Sequence, residues 1–128
     1  MPADAKQIRE EVFVKEQGFN EEYDEIDNIA AHIVLYDDKA IGTCRIYEKE
    51  PHKFMFGRLA VRKNLRKGGC GSRLVKAAEN YAKENGGESI ILHSQLHAQG
   101  FYEKQGFTAF GEIECEQDCP HIWMEKKI

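Results

Sequence analysis

One stretch constrains this chain more than any other. It runs Phe54-Met55-Phe56-Gly57-Arg58-Leu59-Ala60-Val61, then Arg62-Lys63-Asn64-Leu65-Arg66-Lys67, then Gly68-Gly69-Cys70-Gly71-Ser72-Arg73-Leu74. An apolar strand leads into a basic connector, the connector ends in closely spaced glycines, and a helix opens behind them. Glycine admits positive φ, which turns successive backbone N–H groups toward one point. The first turn of the helix adds free N–H groups and the positive end of its dipole. Together these make an anion site suited to a phosphate. The spacing is neither G-x-x-x-x-G-K-S/T nor G-x-G-x-x-G, which disfavours a P-loop and a dinucleotide fold. The plain alternative is a glycine-rich strand-to-helix turn that holds no ligand.

Arg66, Gly69 and Gly71 fill the pattern Arg/Gln-x-x-Gly-x-Gly/Ala behind Leu59-Ala60-Val61. Farther on stands Ala98-Gln99-Gly100-Phe101-Tyr102-Glu103-Lys104-Gln105-Gly106-Phe107. In type, order and separation the two motifs resemble the acyl-CoA loop and the later A-x-x-F-Y-E-K-x-G-F segment of the GNAT N-acetyltransferase superfamily. Four shorter matches resemble one bacterial group of small acetyltransferases without an assigned substrate. They are Arg9-x-x-Val12-Phe13-Val14-x-Glu16-Gln17, Asp27-x-x-Ala30-x-His32, Leu92-His93-Ser94-Gln95 and Pro120-His121-x-x-Met124. The resemblance covers almost the whole chain. It implies an α/β (α+β) fold of the GNAT acyl-CoA N-acyltransferase kind, a mixed, mostly antiparallel sheet flanked by helices. It also implies acetyl-CoA as co-substrate and an amine acceptor.

The chain's 128 residues are expected to form one domain, 1–128, that buries about two-thirds of its unfolded surface. No apolar run approaches the roughly 20 residues of a membrane span, and no signal-like segment opens the chain. A cytoplasmic protein without a membrane partner is expected. Four cysteines, Cys44, Cys70, Cys115 and Cys119, are too few for a disulfide scaffold in a chain of this size. Cys115-x-x-x-Cys119-Pro120-His121 lacks a second ligand pair, so no metal is expected.

The net charge of −4 hides a polarised chain. Residues 1–30 carry nine acids against three bases, whereas residues 62–76 carry six bases and no acid. Such a cluster is a solvated face, a nucleic-acid patch or a polyphosphate site. It is short, lacks interleaved aromatics and sits on the glycine loop, which favours a compact polyphosphate over nucleic acid. CoA, with its pyrophosphate and 3′-phosphate, fits that charge.

In order along the chain, Asp4 and Gln7 read as a capping box that opens a helix, with Gly18 stopping it. Asn20 to Asn28 is an acidic helix or loop. Strands are expected at Ala31–Tyr36 and Ala40–Tyr47 around a turn at Asp37-Asp38-Lys39, and at Phe54–Val61. Ser72 to Asn85 has helical periodicity, with Leu74, Val75, Ala78, Tyr81 and Ala82 inward. Ser89–His93 reads as a buried strand and Leu96–Gln105 as a short helix. Phe107–Ile113 and Ile122–Lys126 read as closing strands. The family implies one more strand ahead of the first helix, so here that strand is expected to be missing or stunted. Its absence would leave the outer edge of Ala31–Tyr36 open and make a homodimer possible.

The resemblance also assigns roles. The Arg66-Lys67-Gly68-Gly69-Cys70-Gly71-Ser72 loop is expected to hold the cofactor, and Leu59, Ala60 and Val61 to offer backbone groups to its pantetheine arm. Ordinary ladder pairing is the alternative for those three. Gln95 stands where the family often has a pantetheine-contacting asparagine. Tyr102 matches the proton donor to the departing thiolate; a packing tyrosine is the alternative. A lysine-like amine is neutral about once in two thousand at pH 7, a cost of roughly 4.6 kcal/mol. A base would therefore help, and Glu22, Glu25, Asp27, His32, His93 and His121 are the candidates, with Glu25 and Asp27 slightly favoured. The expected function is acetyl transfer from acetyl-CoA to a primary amine of a small molecule or peptide. A CoA-binding or sensing module without turnover is the alternative.

Overall fold

The structure, a computed structural model, describes residues 1–19, 23–66, 68–116 and 118–128. Helix α1 (Ala3–Arg9) passes without a break into a π-helical stretch, Glu10–Glu16. A 3-10 turn at Glu25–Asn28 leads to strands β1 (Ala31–Asp37), β2 (Lys39–Glu50) and β3 (Lys53–Val61). Helix α2 (Cys70–Glu84), strand β4 (Ser89–Gln95) and the short helix α3 (Gln99–Lys104) follow. Strands β5 (Thr108–Glu116) and β6 (Cys119–Lys127) close the chain.

The strands form one sheet in the order β1-β2-β3-β4-β6-β5. Every pairing is antiparallel except β3 with β4. The larger core lies between the sheet and α2, where Leu74, Val75, Ala78 and Ala82 meet Ile46, Phe56, Ile90 and Leu92. Burying such side chains is worth about 1.5–3 kcal/mol each, which fixes α2 on the sheet. A smaller core on the opposite face packs Ile8, Val12 and Phe13 against Ala40 and Ala60.

Three expectations need correction. Asp4 caps nothing: the helix starts at Ala3 behind Pro2, and Asp4 instead accepts the Tyr36 hydroxyl proton at 2.6 Å. A reciprocal capping box does form, but between Asp24 and Asp27. Helix α2 begins at Cys70 rather than Ser72, because Gly69 (φ +78°) already makes the turn. Tyr81 is not inward; it is 36% exposed and meets Phe54 edge-on. Buried Glu79, by contrast, was not singled out; it is paired with Lys76 and Lys126.

Two irregularities shape the middle of the sheet. Strands β3 and β4 pair only from Lys53↔Ser89 to Met55↔Ile91. Beyond Met55 they diverge and leave a fork. On its other side, β3 pairs Gly57 with Arg45 and Ala60 with Thr43, so Arg58 and Leu59 together oppose Cys44. This is a β-bulge, and Arg58 adopts φ +52° within it. Bulges of this kind re-aim a strand and are common beside active sites.

Candidate functional site

The fork between β3 and β4 opens into a cleft of about 210 Å³. Phe56, Leu59, Leu92, Phe101 and Tyr102 supply its apolar wall. Gln17, Arg58, Gln95, Glu116 and His121 supply polar groups. The π-helical stretch reaches the cleft through Phe13, with Gln17 just beyond it, and Gln95 Nε2 donates to Gln17 Oε1 at 2.8 Å.

At one end of β3 stands the glycine loop. Gly68 and Gly69 have φ of +106° and +78°, and a Cβ added at either would meet nothing within 4 Å. The space beside the backbone there is open, and α2 begins directly behind it. Gly71 serves a different purpose. A Cβ at that position would lie 3.1 Å from the Phe101 ring, so glycine lets α3 close onto the first turn of α2. Ser72 Oγ accepts from Gln105 Nε2 at 2.9 Å and reinforces the junction. Cys70 is buried beneath it. The loop is thereby coupled to the helix that carries Tyr102. An open glycine turn, a helix N-terminus and flanking bases fit a compact polyphosphate.

Arg66 does not point freely at this turn. Its guanidinium closes two bonds on Glu16, and its Nε donates to the Val61 carbonyl at 2.9 Å. Lys67 lies outside the described residues, as does Glu22. Ala60 and Val61 are buried, and both are bonded to β2 on one edge. Their other edge faces the fork, where β4 no longer pairs, so ladder pairing accounts for only one side of the strand.

Tyr102 is buried on α3 and lines the cleft, with Phe56, Phe101 and Phe107 edge-on around its ring. Burial, with Cys44 nearby, pushes its phenol well above the ordinary range, so the hydroxyl keeps its proton. The same burial pushes the Cys44 thiol up to about 12 and leaves it inert.

The carboxylates and histidines divide sharply. Asp27 accepts from Arg9 Nη1 at 2.7 Å and Arg45 Nη1 at 2.9 Å, and Arg45 also bonds Asp24. Burial alone would raise the Asp27 carboxyl; bonds from Arg9, the Asp24 N–H and Arg45 outweigh it and hold it well below the usual range. A carboxylate so held is a poor proton acceptor, and Asp27 does not line the cleft. His32 bonds the Asp27 carbonyl and stands apart too, as does exposed Glu25. His93 and His121 do line the cleft. His93 stacks on Trp123 at 4.5 Å and bonds Glu116 through Nδ1 at 3.0 Å. Glu116 and the Arg58 bulge were not singled out from the sequence. No single residue announces either; both emerge from strand register. Among the described residues no three His, Cys, Asp or Glu side chains gather as a metal site, and no helix is long and apolar enough to cross a membrane.

Known proteins share this fold. A family profile described as "Acetyltransferase (GNAT) domain" matches residues 3–128. The uncharacterised N-acetyltransferase YjcF of Bacillus subtilis strain 168 is 39% identical over 127 residues, 96% of this chain and 90% of its own. The crystal structure of a provisionally named N-acetyltransferase from Lactobacillus plantarum superposes with a TM-score of 0.91. It is 35% identical and covers 98% of this chain and 89% of that one. An acyl-CoA N-acyltransferase from Pseudomonas aeruginosa superposes with a TM-score of 0.83 at 29% identity, covering 94% and 85% respectively.

Proposed function

The chain belongs to the GNAT acetyltransferase family, and from that premise we propose that it transfers an acetyl group from acetyl-CoA to a primary amine of a small molecule or peptide. The observation that carries this reading is the meeting of the open glycine turn with the β3–β4 fork, because acyl transfer needs an anion clamp beside an unpaired strand edge.

In this reading the turned-out N–H groups of Gly68 to Ser72 hold the pyrophosphate, with charge-assisted bonds worth roughly 1.5–3 kcal/mol each. Arg66 and Lys67 add positive charge. The free edge of Leu59, Ala60 and Val61 bonds the pantetheine arm, and a backbone N–H on that edge polarises the thioester carbonyl. Removing a donor of that kind typically costs about 2.7–4 kcal/mol of transition-state stabilisation. Gln95, at the far side of the fork, bonds the arm from β4. Tyr102 donates its proton toward the departing thiolate. Its burial keeps the phenol protonated at neutral pH, so a proton is there to give, and it also makes the phenol a weaker acid than a free tyrosine.

Calorimetric titration with acetyl-CoA, paired with thiol release across an amine library, tests the reading. Binding that collapses in Gly69→Asp, together with thiol release for some amine, is expected. Unchanged affinity in that variant would place the cofactor elsewhere, and binding without turnover on any amine would reduce the protein to a CoA-binding module.

A further inference from the structure

We propose that His121 is the general base that takes the proton from the acceptor amine, an assignment that rests on the acetyltransferase reading above. His121 lies on β6 opposite Gln95, the last residue of β4, so the strand register carries it to the open end of the fork. It is 6% exposed and lines the cleft. Its Nδ1 stands 2.8 Å from the Cys119 carbonyl oxygen. A carbonyl only accepts, so Nδ1 carries the hydrogen and the neutral ring has its lone pair on Nε2. Nε2 has no hydrogen-bond partner among the described residues, and it is not sealed away as the His93 and His32 orphan nitrogens are.

The neighbouring groups are committed elsewhere. His93 gives Nδ1 to Glu116, and its Nε2 is buried 3.6 Å from Glu114. Glu116 is engaged by that bond, and His97 at the cleft is exposed with nothing among the described residues to orient it. His121 alone combines a fixed tautomer, a free lone pair and a buried ring. Glu116 and His93 act on it as positioning residues, since the His93 ring packs 4.9 Å from it between Trp123 and His121.

One N–H proton of the ammonium passes to His121 Nε2, and the nitrogen lone pair so freed forms a bond to the thioester carbonyl carbon. Collapse of the tetrahedral adduct breaks the C–S bond, and the thiolate takes a proton from Tyr102. Tyr102 regains its proton from the adduct nitrogen, which leaves the neutral amide, and His121 loses its own to solvent. The sum converts an ammonium and a thioester into an amide, a thiol and one released proton. The imidazolium is faced by the Cys119 carbonyl and thiol on its own strand, by Glu114 and Glu116 on β5, and by His93 on β4. Arg58 and His97 stand across the cleft.

Two measurements test this. Ring ¹⁵N spectra of the labelled protein at pH 8 should show His121 as the Nδ1–H tautomer; an Nε2–H tautomer overturns the proposal and needs no acceptor to be known. Second, H121N keeps a donor for the Cys119 carbonyl but has no base. With cadaverine as acceptor, its thiol release at pH 7 should fall by about 10²–10⁴-fold. It should recover as pH approaches the amine's own pKa near 10.4, with acetyl-CoA affinity and melting temperature unchanged. Turnover in H121N equal to the native protein's, while both bind acetyl-CoA, overturns the base and spares the acetyltransferase reading. Failure of acetyl-CoA to bind the native protein overturns the reading itself.

Discussion

Glu16 and Arg66, fifty residues apart in the chain, close a two-bond ion pair at 2.6 and 2.8 Å that joins the end of the π-helical stretch to the glycine loop. The Arg66 hydrogen bond holds the Glu16 carboxyl below the usual range, so the pair stays charged in mild acid. A carboxylate beside a phosphate site competes for the same guanidinium. Surface pairs of this exposure are worth about 0.2–1 kcal/mol. Glu16→Gln should therefore free Arg66 and tighten acetyl-CoA binding by up to about fivefold, read by calorimetry at low salt. Weaker binding would mean that the pair serves to hold the π-helical stretch over the cleft.

Asp27 carries a different load. Arg9 is 1% exposed and Arg45 6%, and both donate to this one buried carboxylate. Breaking a buried pair by removing one partner costs about 3–5 kcal/mol, so Asp27→Ala should lower the melting temperature by on the order of 10 °C or more. The pH dependence follows from the depressed carboxyl. Its unfolded pKa is near 3.9 and its folded pKa lies well below that. The stabilisation is complete above about pH 4 and is lost as pH falls toward the folded value. Acid denaturation followed by circular dichroism should show this limb in the native protein and a flatter one in the variant.

Much of this was legible from the sequence, and the remainder failed for identifiable reasons. Glycine positions and helical periodicity report local backbone demands, so the Gly68-Gly69 turn and the apolar part of the buried face of α2, Leu74, Val75, Ala78 and Ala82, could be read directly. Asp27 could not be read as an ion-pair anchor rather than a base, because its partners Arg9 and Arg45 lie 18 positions away on either side. The Arg58 bulge is a matter of register between β2 and β3, which side-chain pattern leaves open. His121 was one of six candidate bases; only the Cys119 carbonyl, fixed by the β5–β6 hairpin, singles it out.

Tyr102→Phe separates proton donation from packing. The ring's edge-on contacts with Phe56, Phe101 and Phe107 survive the change, and only the hydroxyl is lost. If the hydroxyl meets the thiolate, kcat should fall by about 10²–10⁴-fold with acetyl-CoA affinity retained. Stability should change little, because the buried ring keeps its contacts and the hydroxyl belongs to a residue that lines the cleft. An unchanged kcat would make Tyr102 a packing residue.

The last prediction concerns the sheet's edge. β1 is terminal in the strand order, with β2 on one side and no strand among the described residues on the other. Ile33 and Leu35 face the main core, so the open side of β1 consists of backbone groups and not of apolar side chains. A row of unpaired N–H and C=O groups seven residues long is a template for a second chain, and edge-to-edge dimerisation is expected. The exposed Tyr36 and Asp37 at its end oppose a long register and favour pairing centred on Ala31 to Leu35. Substituting Ile33 or Leu35 would damage the core at the same time, so amide exchange is the cleaner probe. Protection along β1 should rise with protein concentration, and sedimentation should report twice the chain mass. Exchange that ignores concentration, with a monomeric mass, would rule the pairing out.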